Sequence, residues 1–235
     1  MDLWKAFCEV NSRRRAVRQF TGEALDDGAV REVLREAMLA PSSGNLQPYR
    51  LVRVKAGPLK DRLARACNGQ QAARTASELI VVAAGPRFAL EAADAMASFI
   101  EGTDLEEKSK EHHQDEIAKF RKIVAVGGSC PFTLVHAVAS LLKPALSLLP
   151  LGPIGSLNWC ARGAAYAAMD LMLAASARGL DTCPMEGFSG PEVARALELP
   201  RRCAVAVVIA IGHRAEGARI EPRWRRDPES AIVER

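Results

Sequence analysis

Arginine occupies four of the six positions from 13 to 18, as Arg13-Arg14-Arg15-Ala16-Val17-Arg18, followed by Gln19-Phe20. Each guanidinium is a planar fork of donors that suits phosphate oxygens. Arg14 and Arg18 lie four apart, and a second basic group, Arg223, Arg225 and Arg226, occurs near the other end of the chain. Two distant basic groups could converge on one phosphate. The bland alternative is a solvated basic face, the usual fate of a charge run. A second constellation is Ala40-Pro41-Ser42-Ser43-Gly44-Asn45-Leu46-Gln47-Pro48-Tyr49. Its small hydroxyls and amides can bring donors and acceptors close to a flat polar ligand, although Ser, Gly, Asn and Pro also make ordinary turns. A phosphate grip together with a ring-binding loop points to a phosphorylated cofactor.

Two further groups carry less. Thr182-Cys183-Pro184-Met185-Glu186-Gly187-Phe188 reads as a strand edge and a turn, in which Gly187 permits close backbone approach to a ligand. Glu186 has the chemistry of a general acid or base but no partner visible in sequence. His112-His113-Gln114-Asp115-Glu116 lacks the i, i+4 histidine pair of a zincin, so no metal site is expected. No G-x-G-x-x-G, P-loop or G-x-S-x-G motif is present, which argues against a Rossmann NAD domain and a serine hydrolase.

The elements that must position these groups fit into 235 residues, one domain or one domain with an insertion. Hydrophobic residues are 49% of the chain and aromatics 5%, so alanine-rich helices must pack closely. A net charge of +4 suits an anionic ligand but is too small to argue for nucleic acid. Cys8, Cys67, Cys130, Cys160, Cys183 and Cys203 form no C-x-x-C pair, which suggests reduced thiols in a cytoplasm. The start of the chain lacks a signal-peptide apolar region. The uncharged run from Ile123 to Leu142 is interrupted by Gly127-Gly128, Pro131 and His136, so no membrane span is expected.

Periodicity predicts a short helix over 3–11 and a helix capped by Asp26 or Asp27, with Val30, Val33, Leu34, Ala37 and Met38 on one face. Residues 49–55 alternate as a half-exposed strand, and 79–84 and 204–211 read as buried strands. Helices are expected over 59–67, 70–77, 88–101 and 105–126. The segment 127–157 reads as an inserted, partly helical flap. Residues 159–178 form a helix that is apolar nearly all round and therefore central, stopped by Gly179. Ser189-Gly190-Pro191-Glu192 has capping-box spacing. Short strands separated by helices make an α+β sandwich.

In order along the chain, these motifs resemble those of the FMN-dependent nitroreductase family, over most of its length. Arg14-Arg15-Ala16-Val17-Arg18-Gln19-Phe20 is similar to the family's R-R-S-x-R-x-F motif, with Ala16 where serine is common. Residues 40–49 are similar to A-P-S-S-x-N-x-Q-P-W, with Tyr49 in place of tryptophan. Pro184-Met185-Glu186-Gly187-Phe188 is similar to P-x-E-G-F. The resemblance implies a nitroreductase-like α/β sandwich with a central mixed sheet flanked by helices. It also implies an intertwined homodimer with two FMN sites at the subunit interface. Arg14, Arg15, Ala16 and Arg18 would hold the phosphate and ribityl tail, with Arg223 and Arg225 completing the clamp. Ser42, Ser43, Asn45 and Gln47 would line the ring from the partner subunit. Pro184, Met185, Glu186 and Gly187 would form the turn whose backbone N–H meets flavin N5, and no side chain is assigned as catalytic. The chain would be a single domain over 1–235, with the variable lid at about 105–157.

The expected activity is NAD(P)H-dependent reduction of a nitroaromatic, quinone or related acceptor through FMN, by ping-pong kinetics. The alternatives are a specialised flavin enzyme of the same fold, such as a dehalogenase or heterocycle oxidase, a flavin-binding protein without turnover, and an arginine-rich interaction domain without cofactor.

Overall fold

A computed structural model describes residues 2–126, 130–143 and 152–235. Helices α1 (Leu3–Arg13) and α2 (Asp27–Ala37) lead to strand β1 (Tyr49–Val54). Helices α3 (Pro58–Ala66) and α4 (Gln71–Thr75) precede β2 (Glu78–Ala84). Helices α5 (Pro86–Gly102), α6 (Glu107–Val126), α7 (Cys130–Leu142) and α8 (Gly152–Ala177) follow. The chain closes with β3 (Asp181–Met185), α9 (Gly190–Ala196) and β4 (Ala204–Gly212).

The four strands are ordered β1-β2-β4-β3, and each neighbouring pair is antiparallel. The expected mixed character is confined, among the described residues, to one parallel bridge between Ala16 and Thr182. There the Val17 N–H donates to the Thr182 carbonyl at 3.0 Å. That bridge matters for function, because it stitches the arginine segment to the edge strand β3.

Side-chain alternation builds the two layers. Ile80, Val82, Ile209 and Ile211 face a core completed by α2, α5 and α8. Leu79, Val81, Val208 and Ala210 face the opposite core, with Leu63 of α3, Val193 of α9, Val17 and Phe20. Every residue of β2 is buried, as its unbroken apolar run requires.

Local chemistry sets the helix ends. Asp26 is the cap of α2, its carboxylate accepting the Ala29 N–H at 2.7 Å. Gly179 adopts φ +77° after α8, while the Leu180 N–H reaches the Ala175 carbonyl at 2.9 Å and the Gly179 N–H reaches that of Ser176 at 3.1 Å. This is a Schellman stop, in a conformation that glycine adopts without penalty. Ser189 is the cap residue of α9, but its side chain makes no capping bond, so the expected capping box does not form.

Helix α8 differs from its expected wholly central position. Ala164, Ala167, Ala168, Leu171 and Ala175 are buried against the sheet, whereas Tyr166 and Met169 are exposed. The segment expected as a lid is described in part, as α6 and α7; residues 127–129 and 144–151 lie outside the described set. Helix α6 is fastened to the sandwich by buried Ile117 and by Phe120, whose ring lies 4.9 Å from that of Trp159. Helix α7 exposes Leu134, Val135, Val138, Leu141 and Leu142. Among the described residues no helix is long and apolar enough to cross a membrane.

Candidate functional site

The arginine segment and the late basic run do converge. Arg14, Arg15, Ala16 and Arg18 line one side of a cavity of about 250 Å³, and Arg223, Trp224 and Arg225 line the other. The fold brings them together through two anchors. The Ala16–Thr182 bridge holds the first segment on β3. Asp181 of β3 holds the chain after β4: its carboxylate accepts Arg214 Nε at 2.8 Å and Nη2 at 2.5 Å. The Arg15 guanidinium also donates to the Glu221 carbonyl.

The charge at this cavity is unbalanced. Its lining holds one carboxylate, Glu221, which is already paired with Arg219 at 2.7 Å. Among the described residues no carboxylate pairs with Arg14, Arg18 or Arg225. Burial lowers the proton affinity of Arg14, and the like charges of Arg223, Arg225 and Arg15 lower it further. A cluster that repels itself in a partly buried cavity is matched to a multiply charged anion.

The arginines divide their work. Arg223 Nη2 donates to the carbonyls of Ser12 at 2.7 Å and Arg14 at 2.8 Å, which satisfies the C-terminal end of α1 and orients Arg14. Arg225 Nη1 bonds the Trp224 carbonyl at 2.7 Å.

The turn after β3 lies on the same side of the sheet edge. Pro184, Glu186 and Gly187 are exposed, and Met185 is buried. Among the described residues neither the Glu186 nor the Gly187 N–H has a hydrogen-bond acceptor. The Gly187 carbonyl is instead held by Gln70 Nε2 at 2.7 Å and Asn68 Nδ2 at 3.0 Å. Those two amides fix the Gly187–Phe188 peptide, whose N–H donates to the Glu186 carbonyl at 3.1 Å, and so brace the turn. Sequence reasoning missed both residues. The Asn68-Gly69 pair, a turn signal, with Asn68 at φ +55°, was the available clue.

The loop at 41–48 sits apart from the arginine cavity. Ser42 Oγ accepts the Gln47 N–H at 2.9 Å, and Gln47 Nε2 donates to Asn45 Oδ1 at 3.3 Å. Asn45 and Gln47 both have positive φ, a conformation that side-chain bonding helps to hold. Asn45 and Gln47 line a small cavity of about 290 Å³ against α5. Ser42 and Ser43 line another, of about 480 Å³, against α8. Trp159, Arg162, Gly163 and Tyr166 form its helical wall, at i, i+3, i+4 and i+7 of one face. Sequence reasoning placed these four only in an apolar helix; Arg162 interrupting the alanine-rich stretch was the signal. A Cβ on Gly163 would lie 3.0 Å from Pro48 Cγ, so helix and loop meet where glycine alone fits comfortably.

The arginine cavity and the serine-lined cavity share no lining residue. One chain therefore presents two separate cavities, one lined by arginines and one flat-walled.

The comparisons with known proteins assign this fold to a family. The sequence profile of the nitroreductase family matches residues 12–213, and the chain belongs to that family. It is similar to MhqN of Bacillus subtilis, named an NAD(P)H nitroreductase, at 27% identity over 96% of each chain. It is also similar to a protein of Thermus thermophilus named NADH dehydrogenase, 28% identical over 87% of this chain and 84% of that one. Among solved structures, the nitroreductase-type protein YdfN of Bacillus subtilis superposes with a TM-score of 0.73 at 26% identity, covering 99% of each chain. A nitroreductase-type protein of Exiguobacterium sibiricum in complex with FMN shares the fold, with a TM-score of 0.69 at 22% identity over 97% of each chain. Arg223 and Arg225 lie beyond the span that the family profile matches.

Proposed function

We propose that this chain is an FMN-dependent NAD(P)H oxidoreductase that reduces a nitroaromatic, quinone or related flat acceptor. The observation that carries the reading is the convergence of Arg14, Arg15, Arg18 and Arg225 on one cavity without a free carboxylate. The residues fit the cofactor: a phosphate for the arginines, a ring for the slot against α8, and two unengaged N–H groups at Glu186 and Gly187 for a ring nitrogen.

A bound flavin would supply the redox chemistry, hydride acceptance from a nicotinamide and two-electron transfer to the acceptor. The protein positions, excludes water and supplies fixed charge. Arg14, Arg15 and Arg18 anchor the phosphate, with Arg223 holding Arg14 in place. Asn68 and Gln70 brace the turn through the Gly187 carbonyl, and the unengaged N–H groups of Glu186 and Gly187 give Glu186 a main-chain role. Ser42, Ser43, Asn45 and Gln47 line the ring. In this reading the chain is a single domain whose lid includes α6, which is fastened to Trp159 at the edge of the slot.

Two half-sites that share no residue call for a second copy. We assign the active form as a homodimer in which each flavin is held by the arginines of one chain and the serine loop of the other. The exposed apolar residues Leu3, Trp4, Phe7 and Leu39, with the exposed side of α8, support a large interface. Mixing tests this arrangement. A chain carrying Arg14→Ala and Arg18→Ala is co-expressed with one carrying Ser42→Tyr. The heterodimer recovers one flavin site per dimer if the sites are composite. Recovery of none, with both homodimers folded and inactive, overturns it. Steady-state kinetics test the activity: a single site serving donor and acceptor in turn gives ping-pong patterns, and a sequential pattern contradicts it.

A further inference from the structure

The cavity between the 41–48 loop and α8 contains a charge that the phosphate reading does not use. Arg162 is the one charged residue among the described residues of its lining. The remaining walls are flat or small: the rings of Trp159 and Tyr166, Pro41 and Pro48, and the two serine hydroxyls. Trp159 is nearly buried, and its ring is backed by Phe120, so one wall is rigid and poorly hydrated.

The helix backbone beside Arg162 is held by close packing. Its neighbour Gly163 brings α8 against Pro48, and a Cβ there would lie 3.0 Å from Pro48 Cγ and 4.0 Å from Ser42 Cβ. Arg162 therefore stands one residue from the point where helix and serine loop touch. A cation held at the rim of a flat, apolar slot interacts with charge in that slot far more strongly than it would in open water. Within one chain the arginines near the phosphate line a different cavity, which shares no lining residue with the slot.

We propose that Arg162 faces the flavin ring and stabilises the negative charge that the ring gains on reduction, so that α8 sets the cofactor's reduction potential. This inference rests on the proposed FMN reading. The redox step is balanced: the nicotinamide loses a hydride, two electrons and a proton, and the ring gains it with one net negative charge. Arg162 neither gains nor loses a proton; it acts as a fixed charge. Such a charge favours the reduced over the oxidised ring.

The test is a spectroelectrochemical titration of FMN-loaded wild type, Arg162→Gln and Arg162→Lys, with FMN affinity of the oxidised form measured in parallel. The glutamine variant is expected to lose about tenfold in its preference for reduced over oxidised flavin. That corresponds to a midpoint lower by about 30 mV for a two-electron couple. Lysine restores most of the shift. Oxidised FMN binding changes by less than about threefold in both, a comparison that also reports whether the variants fold. An unmoved potential in a flavin-loaded glutamine variant overturns the proposal. So does a lysine variant as low as glutamine, which makes the effect one of packing rather than charge. If Arg162 instead selects anionic acceptors, the potential stays and only their KM rises, and the proposal falls. Wild-type protein that binds no FMN removes the cofactor reading itself, an outcome distinct from bound flavin with an unmoved potential.

Discussion

Arg14 is the residue on which the phosphate half-site turns. It is partly buried among Arg15, Arg223 and Arg225, and its proton affinity is lowered for that reason. Its charge is therefore unfavourable without an anion and favourable with one. Arg14→Gln is expected to leave the melting temperature of FMN-free protein unchanged or raised. The same change should weaken FMN binding by roughly 1.5–3 kcal/mol, as for other hydrogen bonds to charged groups. Fluorescence titration and thermal melts with and without FMN check both signs. A fall in stability of the cofactor-free protein would give Arg14 a structural role instead. Cys160 offers a second test at this scale. Burial pushes its thiol up to about 12 from an ordinary 9. The folded state then keeps a proton that the unfolded state releases. The contribution to stability is complete below pH 9 and is lost as pH rises from 9 towards 12. Denaturation midpoints should fall across that window, and Cys160→Ala should flatten the fall while lowering stability at neutral pH through the cavity it leaves. The motif residues were legible at this scale because their chemistry is local: clustered guanidiniums and small polar loop residues announce themselves. Asn68, Gln70 and Asp181 were not, since each acts on a segment distant in sequence.

At the scale of elements, two contacts govern how the half-sites are held. The first is α8 on the loop at Gly163. Alanine normally improves a helix interior by about 1 kcal/mol over glycine. Overpacking typically costs about 1–3 kcal/mol. The 3.0 Å approach to Pro48 makes the second effect win, so Gly163→Ala should be net destabilising by about 1 kcal/mol and Gly163→Val more so. Urea unfolding decides, and an alanine variant more stable than wild type would contradict the close packing. The second contact is Asp181 with Arg214, which ties β3 to the chain leading into the basic tail. Asp181→Asn removes a charge-assisted bidentate pair and should cost roughly 1.5–3 kcal/mol. It should also weaken FMN binding although residue 181 does not line the cavity. Loss of stability with unchanged FMN affinity would separate the two roles. Element boundaries such as α2 and β2 followed directly from periodicity and an unbroken apolar run. The capping box at Ser189 failed because a short helix docked on α3 is held by packing rather than by its cap. The one-sided burial of α8 was hidden because an alanine-rich sequence looks apolar whether its faces meet a sheet or a second chain.

At the scale of the whole molecule, the sandwich positions two separate cavities, and the proposal that a second copy completes each site predicts that the exposed apolar residues are covered. Trp4 and Phe7 stack with centroids 6.1 Å apart on α1, and Trp224, Ile232 and Val233 are exposed in the tail. Tyr166 and Met169 of α8 are exposed as well, and exposed apolar residues of this size are what a subunit interface covers. Light scattering should give twice the chain mass, with two FMN per dimer. A monomer that binds FMN stoichiometrically would contradict the composite site. The family could be read from ordered motifs, and a site shared between two chains was expected only through that resemblance, because composition and spacing carry no record of which copy supplies which loop. The most direct measurement of the central claim is the visible spectrum of FMN-loaded protein mixed anaerobically with NADH and, separately, NADPH. The account predicts a flavin spectrum that bleaches with at least one of them and returns when a quinone or nitroaromatic is added. A flavin spectrum unchanged by either nucleotide would contradict it.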